Sequence, residues 1–281
     1  MDKHQEALSL INKDYKIEHR FMGGMSNFTY LITDGKDKYT YRYPGNGANN
    51  FVDYNIEKDI LDEAYKFNLT NETIFLDTAT GQKIGKYVEG KNLTEVNIDY
   101  DKAANLLKEF HACKFTSMKD YDQIGRLNKY ESLHSNGQVE YNELKEYFVN
   151  LFNKELKQYC ITPCHNDSQL SNFIEQDNGN YKIVDFEYAA INDVIYDIAC
   201  FGNKDFNNAK DLITYYFNEV GYNEMLRLYA WRMFQCLQWF NVASFKEEIG
   251  LSKDLGIDFK AVASNYINLA RGFKEDIEKL S

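Results

Sequence analysis

The sequence predicts an α+β chain in two lobes, a small β-rich one over residues 1–90 and a larger, mostly helical one over 91–281. Two observations carry this expectation. The first ninety residues run through short aromatic and β-branched stretches in the order three strands, one helix, two strands. Beyond Asp193 every apolar pattern instead recurs at three- and four-residue spacing, as on a helix face.

Taken in order, strands are expected over 15–22, 28–33 and 38–43, the last two joined by DGKD, a hairpin signal between alternating runs. Residues 55–67 have helical spacing, with Ile56, Ile60, Ala64 and Phe67 on one face. Short strands follow at 74–77 and 82–88 around the turn TATG. After EGKN the period changes: Ala103, Leu106, Leu107, Phe110 and His111 line one helix face, and 142–158 is a second helical stretch. Strands at 172–175 and 181–186 flank NGN, and helices are expected over 194–201, 207–219, 223–245 and 259–279.

The 281 residues are enough to give each lobe its own core. A formal charge of −11, from 43 acidic and 32 basic residues, repels phosphate backbones. It argues against nucleic acid as a partner and favours a cationic small molecule. The five cysteines (113, 160, 164, 200 and 236) form no CxxC pair and read as reduced thiols. Cys164 beside His165 has no second Cys/His cluster to support a metal or a nucleophile, and reads as a buried thiol. The start MDKHQEALSL is charged and unlike a signal peptide, and no apolar run reaches the roughly 20 residues a bilayer requires. A soluble, cytoplasmic protein without membrane insertion is expected.

The chemistry is concentrated in CHNDSQLSNF, residues 164–173, and IVDFEYA, residues 183–189. His165-x-Asp167-x-x-x-x-Asn172 has the spacing of the kinase catalytic loop, in which Asp takes the proton of the substrate hydroxyl and Asn binds Mg²⁺. Asp185 ends a strand-like run, where kinases place a second metal aspartate. Phosphoryl transfer needs a hard cation held through oxygen ligands and a hydroxyl held in line. Two hairpin strands would bring Asn172 and Asp185 to one side. His165 reads as an orienter of the loop rather than a proton carrier.

Upstream, Gly23-Gly24-Met25-Ser26-Asn27 lies between two strands, where a kinase covers the nucleotide phosphates, which makes Ser26 and Asn27 candidate ATP contacts. Arg42 in YTYRYPG stands where kinases carry a phosphate-binding lysine, and Glu57 on the following helix is its expected partner. Tyr87 and Val88 in KYVEG fit a hinge whose backbone binds adenine. Asp185-Phe186 is followed by Glu187 rather than Gly, and no long activation segment precedes Asp197. Without a platform for a peptide, a small-molecule hydroxyl is the expected acceptor.

Together these residues resemble the choline/ethanolamine kinase family, particularly its bacterial branch, within the aminoglycoside phosphotransferase superfamily of protein-kinase-like fold. The resemblance implies ATP and Mg²⁺ as cofactors, a choline kinase making phosphocholine that decorates surface glycans or lipids, and ethanolamine kinase or aminoglycoside phosphotransferase as alternatives. It implies Asp167 as base, Asn172 and Asp185 as metal ligands, Gln169 and Glu187 near the acceptor, and Asp197 as a brace of the catalytic loop. It also implies an aromatic pocket for trimethylammonium, for which Trp239 in WRMFQCLQWF and Phe259 after Asp258 are the candidates. Cys236 stands where the eukaryotic pattern has a second Trp, Phe259 where it has Tyr, and Asn203 and Lys204 where an acidic residue is expected.

Overall fold

In the computed structural model, residues 15–21 and 27–280 are described. Strands β1 (Lys16–Phe21), β2 (Asn27–Thr33) and β3 (Lys38–Pro44) lead to helix α1 (Tyr54–Lys66), then to β4 (Thr73–Leu76) and β5 (Lys83–Lys86). They form one antiparallel sheet in the order β1-β2-β3-β5-β4. Alternation sorts its side chains: Tyr30, Ile32, Tyr39 and Tyr41 fill a core on one face, whereas Arg42 lies on the other. The cross-strand register opposes Arg42 to Lys83. Asp53 caps α1 by accepting from the amides of Asn55 and Ile56. The buried face of α1 carries Tyr54, Glu57, Ile60, Leu61 and Ala64, while Phe67, expected on that face, is exposed. Phe67 is the C-cap, one residue past the helix, and so leaves the buried face.

Further on come β6 (Lys91–Asn92), α2 (Tyr100–Ala112), α3 (Gln123–Glu131), α4 (Val139–Leu151), β7 (Thr162–Cys164), β8 (Phe173–Glu175), β9 (Tyr181–Ile183) and β10 (Ala190–Asn192). Helices α5 (Val194–Phe201), α6 (Asn207–Tyr216), α7 (Tyr222–Glu248), α8 (Leu251–Leu255) and α9 (Phe259–Lys279) complete the described chain. Two compact units result, one of residues through Asn97 with Phe115–Met118 and Ser171–Ala189, the other of Ile98–Lys114, Lys119–Leu170 and the chain from Ala190 onward. The first unit thus extends beyond residue 90 and takes in the hairpin that carries Asn172 and Asp185. Backbone pairing is the cause: β8 joins β6 and β9 in a three-stranded sheet, and the Ile183 amide donates to the Leu69 carbonyl at 3.3 Å. Gly90 makes this packing possible. Its φ is +145°, and a Cβ there would stand 2.2 Å from the Glu175 carbonyl oxygen.

The second unit is organised by α7, which is buried on nearly every side from Leu226 to Lys246, as a central helix must be. It packs against α9, α5, α3 and α4. Asp193 caps α5 through the Ile195 amide and also accepts from Arg227 Nε at 2.8 Å and Trp231 Nε1 at 2.7 Å. That buried carboxylate therefore ties α5 to α7.

Candidate active site

The loop 164–172 leaves β7, which is held by β10 with Cys164 opposite Ala190. Asp197, one turn into α5 and wholly buried, is the post around which the loop is wound. Its carboxylate accepts from the amides of His165 (2.8 Å) and Asn166 (2.7 Å) and lies 3.0 Å from His111 Nε2. Ser168 Oγ donates to the Asp197 carbonyl at 2.7 Å. Burial works against the ionised carboxylate, yet the His111 hydrogen bond and the nearby imidazoles outweigh it and hold Asp197 below its ordinary value. Asn166 is left-handed (φ 61°), a conformation Asn tolerates better than most residues. Its amide stabilises the turn by donating to the carbonyls of Cys164 and Ala190 and accepting from Asn192.

The Asp167 amide donates to His165 Nδ1 at 3.3 Å, so His165 orients the loop from a buried position. Gln169 Nε2 donates to Asp167 Oδ2 at 3.3 Å, which puts these two predicted residues side by side. Cys164 is fully buried, and burial pushes its thiol well above the ordinary value. It lies with His111 and Asp197 within 4.8 Å, a trio with metal-ligand chemistry. However, both His111 nitrogens are engaged, Nδ1 by Tyr216 Oη at 2.8 Å, and both Asp197 oxygens accept backbone amides. His111 and Asp197 form a hydrogen-bonded brace beside the buried thiol.

In the first unit a charged cluster gathers around Arg42. Its NH1 donates to Glu57 Oε1 (2.8 Å) and Glu187 Oε2 (3.1 Å), and its NH2 to Glu57 Oε2 (2.6 Å). NH2 and Nε also reach the Gly81 carbonyl at 3.1 and 3.3 Å. All five donors of the guanidinium are occupied, which fits a fork-shaped cation and would not fit a lysine. Gly81 is required there: its φ is +77°, and a Cβ would lie 2.2 Å from the Tyr54 ring. Lys83, which sequence reasoning passed over, adds its ammonium to Glu57 Oε1 at 2.8 Å. Burial opposes the Glu57 charge, but Lys83 and Arg42 prevail and lower its pKa.

Asn27 Nδ2 donates to Glu187 Oε2 at 3.0 Å, so both partners of Glu187 belong to the nucleotide side of the prediction. Burial, aided by the Asp185 charge, raises the Glu187 pKa. Ser26 lies outside the described residues. Tyr87 is fixed by its amide to the Lys38 carbonyl (3.1 Å) and by Asn71 to its own carbonyl (2.9 Å), and its ring stacks on Phe21. Val88 follows as a buried residue, with neither backbone group paired among the described residues.

Asn172 and Asp185 sit at one end of the β8–β9 hairpin, where the Val184 amide donates to the Asn172 carbonyl at 2.9 Å. Asp185 has φ 71°, an unusual conformation of the kind that gathers at functional sites. Its side chain is 36% exposed, with Arg42 NH1 at 3.9 Å. One half-open carboxylate and one amide oxygen are hard donors, and that set suits Mg²⁺.

The aromatic candidates separate. Trp239, half-buried on α7, stacks on Tyr266 of α9, with ring centroids 6.1 Å apart and planes at 18°. Phe259 is 1% exposed, and the Lys246 ammonium stands 5.7 Å above its ring. Asp258 caps α9 through the Ala261 amide. Tyr266 was legible in principle, being seven residues after Phe259 and on the same helix face.

The protein is similar in fold to the choline kinase LicA from Streptococcus pneumoniae, with a TM-score of 0.75 and 22% identity over 96% of each chain. It is similar also to a choline/ethanolamine kinase family protein from Mesorhizobium loti, with a TM-score of 0.76 and 19% identity over 99% of this chain and 97% of that one. Among curated proteins, LicA of Haemophilus influenzae is 26% identical over 208 residues, which is 70% of this chain. The matched stretch spans 60% of that relative's length. The fold is protein-kinase-like, as in these neighbours. The family model for choline/ethanolamine kinase matches residues 19–224, and the chain belongs to that family.

Proposed function

We propose that the protein transfers the γ-phosphoryl group of ATP to the hydroxyl of choline, giving phosphocholine and ADP. The observation that carries this reading is the clamp of Asp197 on the amides of His165 and Asn166, which fixes the turn presenting Asp167. Asp167 accepts the choline hydroxyl proton as the oxygen attacks the γ-phosphorus in line and the bond to the β-bridging oxygen breaks. Asn172 and Asp185 would hold Mg²⁺, which when bound neutralises charge on the phosphates. Arg42, locked by Glu57, supplies a fixed positive charge beside Asp185. The Val88 backbone, unpaired among the described residues, suits the adenine edge. No described helix is long and apolar enough to cross a membrane, and the reading places the reaction in the cytoplasm.

Choline as acceptor rests on Trp239. A trimethylammonium head donates no hydrogen bond, so a protein holds it through aromatic faces. An indole backed by Tyr266 offers such a face in a rigid position. Trp239→Leu keeps bulk and removes the ring. Loss of a desolvated cation–π contact, about 2 kcal/mol, is expected to raise the KM for choline roughly 30-fold. The KM for ATP is expected to stay near the parent value. Equal changes for both substrates, with the fold intact, would mean that Trp239 is core.

A further inference from the structure

Behind the proposed base runs a chain of hydrogen bonds that neither the catalytic motif nor the aromatic pocket uses. Gln169 Nε2 donates to Asp167 Oδ2. Gln169 Oε1 in turn accepts from Asn203 Nδ2 at 2.8 Å. The backbone carbonyl of Asn203 accepts from Arg232 NH2 at 2.8 Å. Arg232 anchors the Asn203 backbone, and the Asn203 side chain and Gln169 each donate in turn toward the carboxylate. Asn203 lies just past the end of α5, and Arg232 is nearly two turns into the buried stretch of α7.

Two features set this chain apart from ordinary packing. Arg232 is 2% exposed, and among the described residues no carboxylate pairs with it. A buried guanidinium without a counter-ion is costly, and its other described hydrogen bond goes to neutral Gln235 Oε1 at 3.1 Å. Gln235 is itself held by the Tyr196 carbonyl at 3.0 Å. Moreover, a glutamine amide can face either way, and only one orientation gives Asp167 a donor. The Asp167 carboxylate, which only accepts, draws Gln169 Nε2 toward it, and Asn203 Nδ2 satisfies Oε1 on the other side and holds the amide in place.

We infer that Asn203 and Arg232 are positioning residues for phosphoryl transfer, which fix the Gln169 amide so that it donates to Asp167 and holds the base carboxylate. The inference rests on the reading of Asp167 as the base. It also gives meaning to the departure at position 203, near which the family resemblance implies an acidic residue: a carboxylate at 203 could not donate to Gln169 Oε1 and would compete with Asp167 for the Gln169 donor.

Asn203→Ala separates positioning from structure, since it removes the side-chain donor and leaves the carbonyl that Arg232 holds. It is expected to lower kcat about tenfold, with the KM for ATP and the melting temperature near the parent values. In a Gln169→Leu background the same change should add nothing further, because the link is already cut. Arg232→Lys, which keeps a donor for the Asn203 carbonyl, should retain more turnover than Arg232→Met at matched stability. The inference is overturned if Asn203→Ala keeps kcat within twofold of the parent, or if its loss adds in full to that of Gln169→Leu. Asp167→Ala, assayed alongside, keeps the two failures apart: a dead Asp167→Ala beside a normal Asn203→Ala sinks the positioning role alone. Parent turnover in Asp167→Ala sinks the base assignment.

Discussion

Asp167→Ala is expected to lower turnover by about 10²–10⁴-fold, the usual contribution of a general base, while the protein melts near the parent temperature. The loop is held chiefly by groups other than the Asp167 side chain. Asp197 holds the amides of His165 and Asn166, and Asn166 ties the turn to β7 and β10. The loss should therefore appear in kcat, with nucleotide binding retained. Positioning of the hydroxyl is lost together with the base, which puts the effect toward the upper end of the range. Turnover within a few-fold of the parent would remove Asp167 from the chemistry.

Asp185→Asn should act on the metal as well as on the rate. The substitution preserves shape and replaces a charged oxygen ligand by a neutral amide, a poorer ligand for a hard cation. Even an outer hydrogen-bond partner of a metal ligand typically contributes about 10–100-fold to affinity, so the loss of a direct carboxylate should raise the Mg²⁺ requirement by at least that much. Part of the rate should return at high Mg²⁺, a behaviour not expected of Asp167→Ala. A Mg²⁺ titration and a saturated rate that both match the parent would show that Asp185 is not a ligand.

Much of this site was legible because its motifs are local. The spacing of His165, Asp167 and Asn172 follows from one turn and one strand start, and the alternation of YTYRYPG places Arg42 opposite the tyrosine core. What escaped depends on pairing between distant segments. Lys83 joins Glu57 because β5 pairs with β3 in a register that opposes it to Arg42, and nothing near Lys83 announces that. Glu187, expected near the acceptor, binds Asn27 and Arg42, again through long-range packing. Helix α3 went unread: it begins at Asp122 in a left-handed conformation and contains Gly125, both poor helix signals. It is secured from outside, by Arg126 over the Tyr121 ring at 4.1 Å and by its Nε to the Tyr121 carbonyl at 2.7 Å. The helix expected over 142–158 ends at Leu151 and widens into a π-helical turn over Phe152–Leu156, a change of winding that apolar spacing does not encode.

The most direct measurement is phosphorus NMR of the purified protein with ATP and Mg²⁺, with choline, ethanolamine or kanamycin supplied in turn. A phosphomonoester signal is expected to grow with choline as ATP falls to ADP, at a higher kcat/KM than with either of the other acceptors. Transfer to ethanolamine or kanamycin in preference to choline would contradict the choline assignment, and the absence of transfer to any of the three would contradict the proposed reaction.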